Sequence, residues 1–594
     1  MKNSCLILLF VSTISFAQKN KETIAVEING LAGNVLQHAP DLGHLVTGHP
    51  EGIMISFSKK TFGDEAWQQI YNYPDYGIYF LYQDFKNPYL GHNFASGLHY
   101  NFYFLNRHLM FKIAEGIAYT SDPYNKVTNN KNKSFGTRIM ANTNFLLEYK
   151  KENIVDNFGI QAGVFFTHFS NGRIKSPNSG INTYGINIGI NYNFNKQQQF
   201  IRDSTALKSV FKESIKYNFV FRTGVNESPV INSGQYPFYH IGFYADKRLN
   251  RKSGLQLGTE IFLTQAVKDF IYYYATAYPQ RNVTIDTDYK KIGVFVGHEL
   301  FVNRLSLEFQ LGYYVYQPFK FEIPVYDRLG AKYYLTKNIS TDEMKKIIYL
   351  LTLALVTLSC SKPSDCIEST GDIITKNIEI PATTIFTKIK FYKGISVILT
   401  QGGIQRVEVK TGENLMNDIE VQFSSDSTLI IKDNTTCNWV REYGQTTVYV
   451  TAPNITDIIS KSEKNITSNG ILTYPNLRLE SIDISDGAGT GDFNLQIFNN
   501  QLIIETNNIS NFYISGQTVN FYANFYEGNG RIEAGNFMAQ NIFIYHRGTN
   551  DMIVYPITKI EGNLYSTGDV VCKNIPTTMP PQVFAHYHGQ LIFN

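Results

Sequence analysis

The chain has 594 residues, and its 53 Lys+Arg against 50 Asp+Glu leave a net charge of +3. That balance excludes a nucleic-acid footprint, which needs a concentrated basic excess. A mean hydropathy of −0.19 excludes a bundle of membrane helices, and 40 Tyr with 42 Phe exclude a disordered chain, so aromatic-rich, charge-poor all-β structure is the expectation.

Residues 1–17 read MKNSCLILLFVSTISFA: a Lys near the start, an apolar core, and small residues at Ser15 and Ala17 before Gln18. This is the pattern of a secretory signal. His38, His44 and His49 follow in a Pro/Gly-rich segment ahead of the strands, with no close-spaced pair to ligate a metal.

The clearest strand runs from Tyr184 to Phe194. Its even positions are apolar (Tyr184, Ile186, Ile188, Ile190, Tyr192, Phe194) and its odd positions are Gly or Asn. Side chains alternate across a strand, so one face is apolar and the other polar. Its length and aromatic ends match a transmembrane β-strand, with Ile186, Ile188 and Ile190 facing lipid. With 183–195, candidate strands near 76–84, 94–105, 109–119, 136–150, 156–169, 216–225, 237–248, 255–267, 290–301, 305–316 and 324–335 make twelve. Their connections alternate between short and long, as barrel turns and outer loops do. The pattern predicts one antiparallel outer-membrane β-barrel within residues 18–343. The connection 196–215 is long where a short turn is expected. Asp286 and Asp288 read as a solvated outer loop.

Within 156–169 and just beyond, the text is Phe165-Phe-Thr-His168-Phe-Ser170-Asn171-Gly172. His168 and Ser170 share a strand face, their Cα atoms roughly 6.6–7 Å apart. An imidazole can reach a hydroxyl across that gap, and nucleophilic catalysis needs such a base. With Pro177-Asn178-x-Gly180 and the alternating strand that follows, residues 155–195 resemble the lipid A 3-O-deacylase (PagL) family. The resemblance implies an outer-membrane barrel of a Gram-negative bacterium that cuts an acyl ester of lipid A or a related lipid, without cofactor or metal. It implies Ser170 as nucleophile, His168 as general base, and Asn171 and Asn178 around the oxyanion. The family places a Glu fourteen residues after the His, and here that position is Asn182. An amide can orient an imidazole but cannot stabilise imidazolium by charge. Glu115 is the nearest acid, two strands away and about 10 Å off. The family barrel has about eight strands, fewer than the twelve counted here.

A second signal-like stretch begins at Met344: MKKIIYLLTLALVTLSC, ending at Cys360. Its apolar run, Ile347–Leu358, is 12 residues, short of the roughly 20 that span a bilayer. Residues 344–360 resemble a lipoprotein signal with Cys360 as the lipidated residue. Two readings stand: two adjacent reading frames joined into one, or a single protein with an internal helical segment packed against neither neighbour. Among Cys366, Cys437 and Cys572 one disulfide is possible in an oxidising compartment, with the pairing open.

Residues 361–594 are expected to form a β-solenoid. Turn-like segments centre on Ser468, Ala488, Asn508, Gly528, Gly548 and Gly568, a spacing of 20, with short alternating strands between. A fixed period of this size signals stacked coils. Phe386 to Gly402, with Gly394-Ile395 and then Val407-Glu-Val409, resembles the head GIN domain, although Ser396 stands at the name-giving Asn. That resemblance implies a cell-surface adhesin-like module without assigned chemistry or ligand. Gly487-Ala-Gly489-Thr-Gly491 has no following helix to hold phosphate. His546, His586 and His588 read as exposed or structural. Two functions follow: an outer-membrane serine esterase of the lipid A deacylase type fused to a surface module, or a non-catalytic surface-binding protein on a degenerate barrel.

Overall fold

The computed structural model describes residues 23–195, 199–202, 211, 213–302, 305–334, 366–435, 437–483 and 486–594. The expected signal at 1–17, the segment 344–360 and Cys360 lie outside them. The chain is all-β, in three units.

The first unit is a closed antiparallel barrel of eight strands. These are β1 (Ile24–Val35), β2 (Glu51–Lys59), β3 (Asp75–Asp84), β4 (His92–Phe104), β5 (Leu109–Thr120), β6 (Ile139–Val155), β7 (Phe158–Ser170) and β8 (Ile181–Asn193). Closure is the β1–β8 ladder, from Ala25 opposite Asn193 to Val35 opposite Thr183. The segment read as preceding the barrel therefore supplies two of its strands, and His38, His44 and His49 lie on the loop between them. Long connections, 36–50, 85–91, 121–138 and 171–180, gather at one rim, called upper here.

The polarity of a soluble protein is inverted. Ile186, Ile188 and Ile190 face outward, 60%, 67% and 49% exposed, while Asn187 and Asn191 point inward and are buried. On β1, Glu27 is fully buried at the centre of the lumen. Its carboxylate takes Lys112 Nζ from β5 at 2.5 Å and Lys150 Nζ from β6 at 2.6 Å. Removing one partner of such a buried set costs roughly 3–5 kcal/mol.

The remaining six predicted strands do not enlarge this barrel. β9 (Lys216–Glu227), β10 (Gln235–Arg248), β11 (Ser253–Thr264), β12 (Lys291–Val302), β13 (Leu305–Tyr316) and β14 (Val325–Tyr333) form a separate six-stranded sheet in chain order. The connection 196–215, anomalous as a barrel turn, is the passage between the two units. The sheet repeats the barrel's chemistry. Phe219, Phe243, Leu257, Val296 and Leu311 are exposed on one face. On the other, Glu260 of β11 receives Arg222 of β9 at 3.0 Å and Arg328 of β14 at 2.5 Å. The sheet thus curls until both edge strands reach one carboxylate. Helix α1 (Gln265–Ala277) packs over its upper end.

The third unit is a solenoid-like sheet from Ile373 to Phe593. Its long strands Phe493–Thr506, Asn511–Phe525, Arg531–His546 and Met552–Leu564 stack in parallel. Phe493 lies over Phe512, Phe512 over Ile532, and Ile532 over Met552, offsets of 19, 20 and 20 that account for the repeat read in sequence. Turns fall at Asn508, Gly528, Gly548 and Gly568, but Ser468 lies within the strand Ile466–Leu472. Gly528 needs its left-handed φ of +92°, and a Cβ there would stand 2.2 Å from Asn508 O. His546 is buried, its Nε2 2.9 Å from Asn550 O, and burial holds its pKa down at about 4. Cys366 and Cys437 form the disulfide, leaving Cys572 free and buried.

The solenoid lies along the upper rim of the barrel. Lys131 reaches Asp492 at 2.5 Å, Asn130 Nδ2 donates to Asn511 Oδ1 at 2.7 Å, Tyr124 Oη donates to Asn529 Oδ1 at 3.1 Å, and Lys126 pairs with Asp551 at 2.6 Å. One rim loop thus touches successive coils. His49 Nε2 lies 3.0 Å from Arg441 O, and His44 Nε2 2.7 Å from Lys131 O. Burial lowers the His44 pKa to about 3, so it is a neutral ring bracing the rim.

The second sheet clamps the loop 171–180. Glu227, buried at the upper end of β9, accepts N–H bonds from Ser176 at 2.7 Å and Gly234 at 3.3 Å. Glu227 N donates to Arg173 O at 3.1 Å, Ser176 Oγ to Ser228 O at 2.6 Å, and Gln235 Nε2 to Ile174 O at 2.8 Å. Bonds to a charged acceptor contribute roughly 1.5–3 kcal/mol each. Glu227→Ala should therefore speed hydrogen exchange within 171–180 and at Gly234, while the barrel strands keep their protection. Unaltered exchange in that loop would rule out the clamp.

Candidate active site on the outer barrel wall

Strand alternation decides where the predicted residues point. Phe165, Thr167 and Phe169 of β7 are buried inward, so His168 and Ser170 project from the outer wall, both half-buried. In the β7–β8 ladder, His168 stands directly opposite Asn182. His168 Nδ1 lies 2.6 Å from Asn182 Oδ1. Since a carboxamide oxygen only accepts, Nδ1 carries the proton, and Nε2 is left as the basic nitrogen. The fourteen-residue spacing is that of a hairpin whose loop returns the chain to the same height.

That loop is built around the candidate nucleophile. Asn171 N–H donates to Asn178 Oδ1 at 2.8 Å, and Asn171 Nδ2 donates to Lys175 O at 2.8 Å. Gly172 N–H points to Ser170 Oγ at 3.3 Å. Gly180 has φ +67°, and a Cβ there would lie 3.2 Å from His168 Cε1 and 3.5 Å from Ser170 Cβ. A left-handed glycine thus lets the loop pass close beside the pair. The structure brings His168 and Asn182 into contact and sets Ser170 on the same outward face, two residues along β7. Asn178 lies at the residue following Ser170. The Asn171 side chain is tied into the loop, so it braces the turn.

Contacts that sequence reasoning missed come from far along the chain. Thr143 of β6 stands opposite His168 on its other side. Its Oγ1 donates to Glu115 Oε2 at 2.5 Å. His38 Nε2 lies 3.1 Å from Ser179 O, bracing the loop from the β1–β2 connection. Nothing local marks these residues, because register across neighbouring strands creates the contacts. Among the described residues no group of three or more His, Cys, Asp or Glu could hold a metal ion.

A further recess, about 180 Å³, opens at the upper end of the second sheet beneath α1. Arg173 from the 171–180 loop lines it together with Glu227, His240, Phe262, Phe270 and Lys291. Lys291 is already paired with Glu322 at 2.5 Å.

None of the curated proteins matches this chain. Among solved structures, a putative adhesin from Bacteroides fragilis NCTC 9343 is 19% identical, over 38% of this chain and 100% of its own, with a TM-score of 0.34. A putative lipid binding protein from Parabacteroides distasonis ATCC 8503 is 13% identical over 38% and 99%, with a TM-score of 0.29. Three family models match in chain order. Residues 51–191 match lipid A 3-O-deacylase (PagL), residues 215–344 match the acyloxyacyl hydrolase C-terminal domain, and residues 385–576 match the putative auto-transporter adhesin, head GIN domain. The first match covers β2 to β8 of the barrel and the second covers the six-stranded sheet, so the predicted strands beyond β8 belong to a separately matched module.

Proposed function

We propose that this chain is an outer-membrane serine esterase that hydrolyses an acyl ester of lipid A or a related acyl lipid, and that it carries an adhesin-like module at the cell surface. The observation that carries this reading is the outward face shared by His168, Ser170 and Asn182, with the imidazole oriented by the 2.6 Å contact to Asn182. A lipid-cutting enzyme needs its nucleophile where acyl chains lie, and these residues stand on the apolar wall.

Membrane residence is supported by the inverted polarity and by aromatic side chains near both ends of the wall. Tyr82, Phe94, Tyr119 and Tyr184 are exposed toward the upper rim, and Tyr149, Phe158 and Phe194 toward the lower. Such girdles flank the apolar band of barrels in bilayers. No helix among the described residues is long and apolar enough to cross a membrane, so strands would do the spanning.

The chemistry follows the Ser–His logic. Ser170 Oγ attacks the ester carbonyl while His168 Nε2 takes its proton. Asn182 holds Nδ1–H and fixes the tautomer. The tetrahedral oxyanion forms beside the loop, where the Asn178 amide and backbone N–H groups would stabilise it. His168 gives its proton to the leaving sugar oxygen as the ester C–O bond breaks; it then takes a proton from water, which attacks the acyl-serine and releases the fatty acid as Ser170 Oγ regains its proton. A second reading, a non-catalytic surface-binding protein, draws on Asn182 itself, since an amide gives the imidazolium no charge.

Mass spectrometry of lipid A from a host with and without the chain separates the two. The esterase reading expects loss of one acyl chain, abolished by Ser170→Ala. Asn182→Glu should raise turnover by roughly tenfold or more, because a carboxylate stabilises imidazolium where an amide does not. Unchanged lipid A processing by the Ser170→Ala chain would remove the nucleophile assignment.

A further inference from the structure

The outer wall holds a carboxylate that its surroundings do not explain. Glu115 of β5 projects outward among exposed Leu98 and Ile117, which are 66% and 65% exposed. Leu98 stands directly opposite it on β4. A charge on the apolar face of a barrel is destabilising in a bilayer. Among the described residues no cationic side chain pairs with it. Its hydrogen bond comes from Thr143 Oγ1, at 2.5 Å.

The ladders place this carboxylate in the catalytic row. Glu115 is directly opposite Thr143, Thr143 opposite His168, and His168 opposite Asn182. Four strands thus present Glu115, Thr143, His168 and Asn182 side by side. Two strand spacings separate the Glu115 and His168 backbones by roughly 9–10 Å, with Thr143 between them. On the outward row through His168, the charged group is Glu115 on β5. The direct neighbours of His168 on β6 and β8, Thr143 and Asn182, are uncharged.

We propose that Glu115, held by Thr143, is a positioning residue that supplies from the far side of His168 the negative charge missing at Asn182. The inference rests on the esterase reading. In it the two jobs of a triad acid are split. Asn182 orients the ring through Nδ1, and Glu115 stabilises the imidazolium formed when Nε2 takes the Ser170 proton. No proton passes to Glu115.

The test uses the full chain folded in detergent and a soluble p-nitrophenyl acyl ester. Glu115→Gln should lower kcat about tenfold with KM unchanged. It should also move the acidic limb of the pH profile about one unit lower, because an imidazolium without its counter-charge gives up its proton at lower pH. Thr143→Val should act in the same direction, and Asn182→Glu should restore kcat in the Glu115→Gln background. A purely structural role would not move the pH limb. NMR titration of His168 reads the same displacement even if this ester turns over poorly. An unmoved His168 midpoint in Glu115→Gln overturns the proposal. Turnover that survives Ser170→Ala overturns the esterase reading instead, so the two failures are distinguishable.

Discussion

The barrel depends on one carboxylate in its lumen. Glu27 on β1 sits between Lys112 and Lys150, all three fully buried, and joins strands that are not neighbours. A charged set of this kind is tolerable only when every partner is present. Once it occupies the inside, each strand must send its polar residues inward, and strand periodicity then sends its apolar residues outward. The wall that results is solvated by acyl chains far better than by water. The second sheet solves the same problem on a smaller scale, with Glu260 between Arg222 and Arg328.

Under the proposed function, inverted polarity also decides how a substrate would approach. His168 and Ser170 occupy outward positions, so a lipid would meet them sideways, from within a leaflet around the wall. The mouth of the barrel is not on that route. Loops at the upper rim can therefore be buried under the solenoid with no cost to access. What the site does require is a rigid turn after Ser170, and that rigidity comes through Glu227 at the end of β9, the adjoining Ser228, and His38 of the barrel's β1–β2 loop.

Much of this was legible in the chain. The Tyr184–Phe194 alternation pointed to β8 and its outward isoleucines, and the family resemblance singled out Asn182 as the residue to orient His168. Closure was not legible. β9–β14 carry the same two-residue alternation as β3–β8, and alternation reports which face is apolar, not which strand pairs with which. β1 and β2 were hidden because Gly and Ala dilute the alternation from Gly30 to Gly33, and because the Pro, Gly and His of their loop read as irregular chain. Thr143 beside Glu115, and Glu227 beside Ser176, depend on register between distant segments. The three cysteines left the disulfide open until Cys366 and Cys437 were seen together.

The contacts between the solenoid and the rest of the chain have a bearing on how the chain is made. Lys126, Lys131, Asn130, Tyr124 and His49 reach across side chain by side chain, and Thr567 and Tyr587 bond to Ile231 and Asp269 of the second sheet. None of these contacts is made by a residue of the covalent joint between residues 334 and 366, although Arg441, which His49 meets, also donates to Glu368 O just past it. A polypeptide nicked there, or translated as two, would keep the same docking interface. Covalent continuity then sets stoichiometry and effective concentration, while recognition between barrel and solenoid is written in the rim loop and the coil turns themselves.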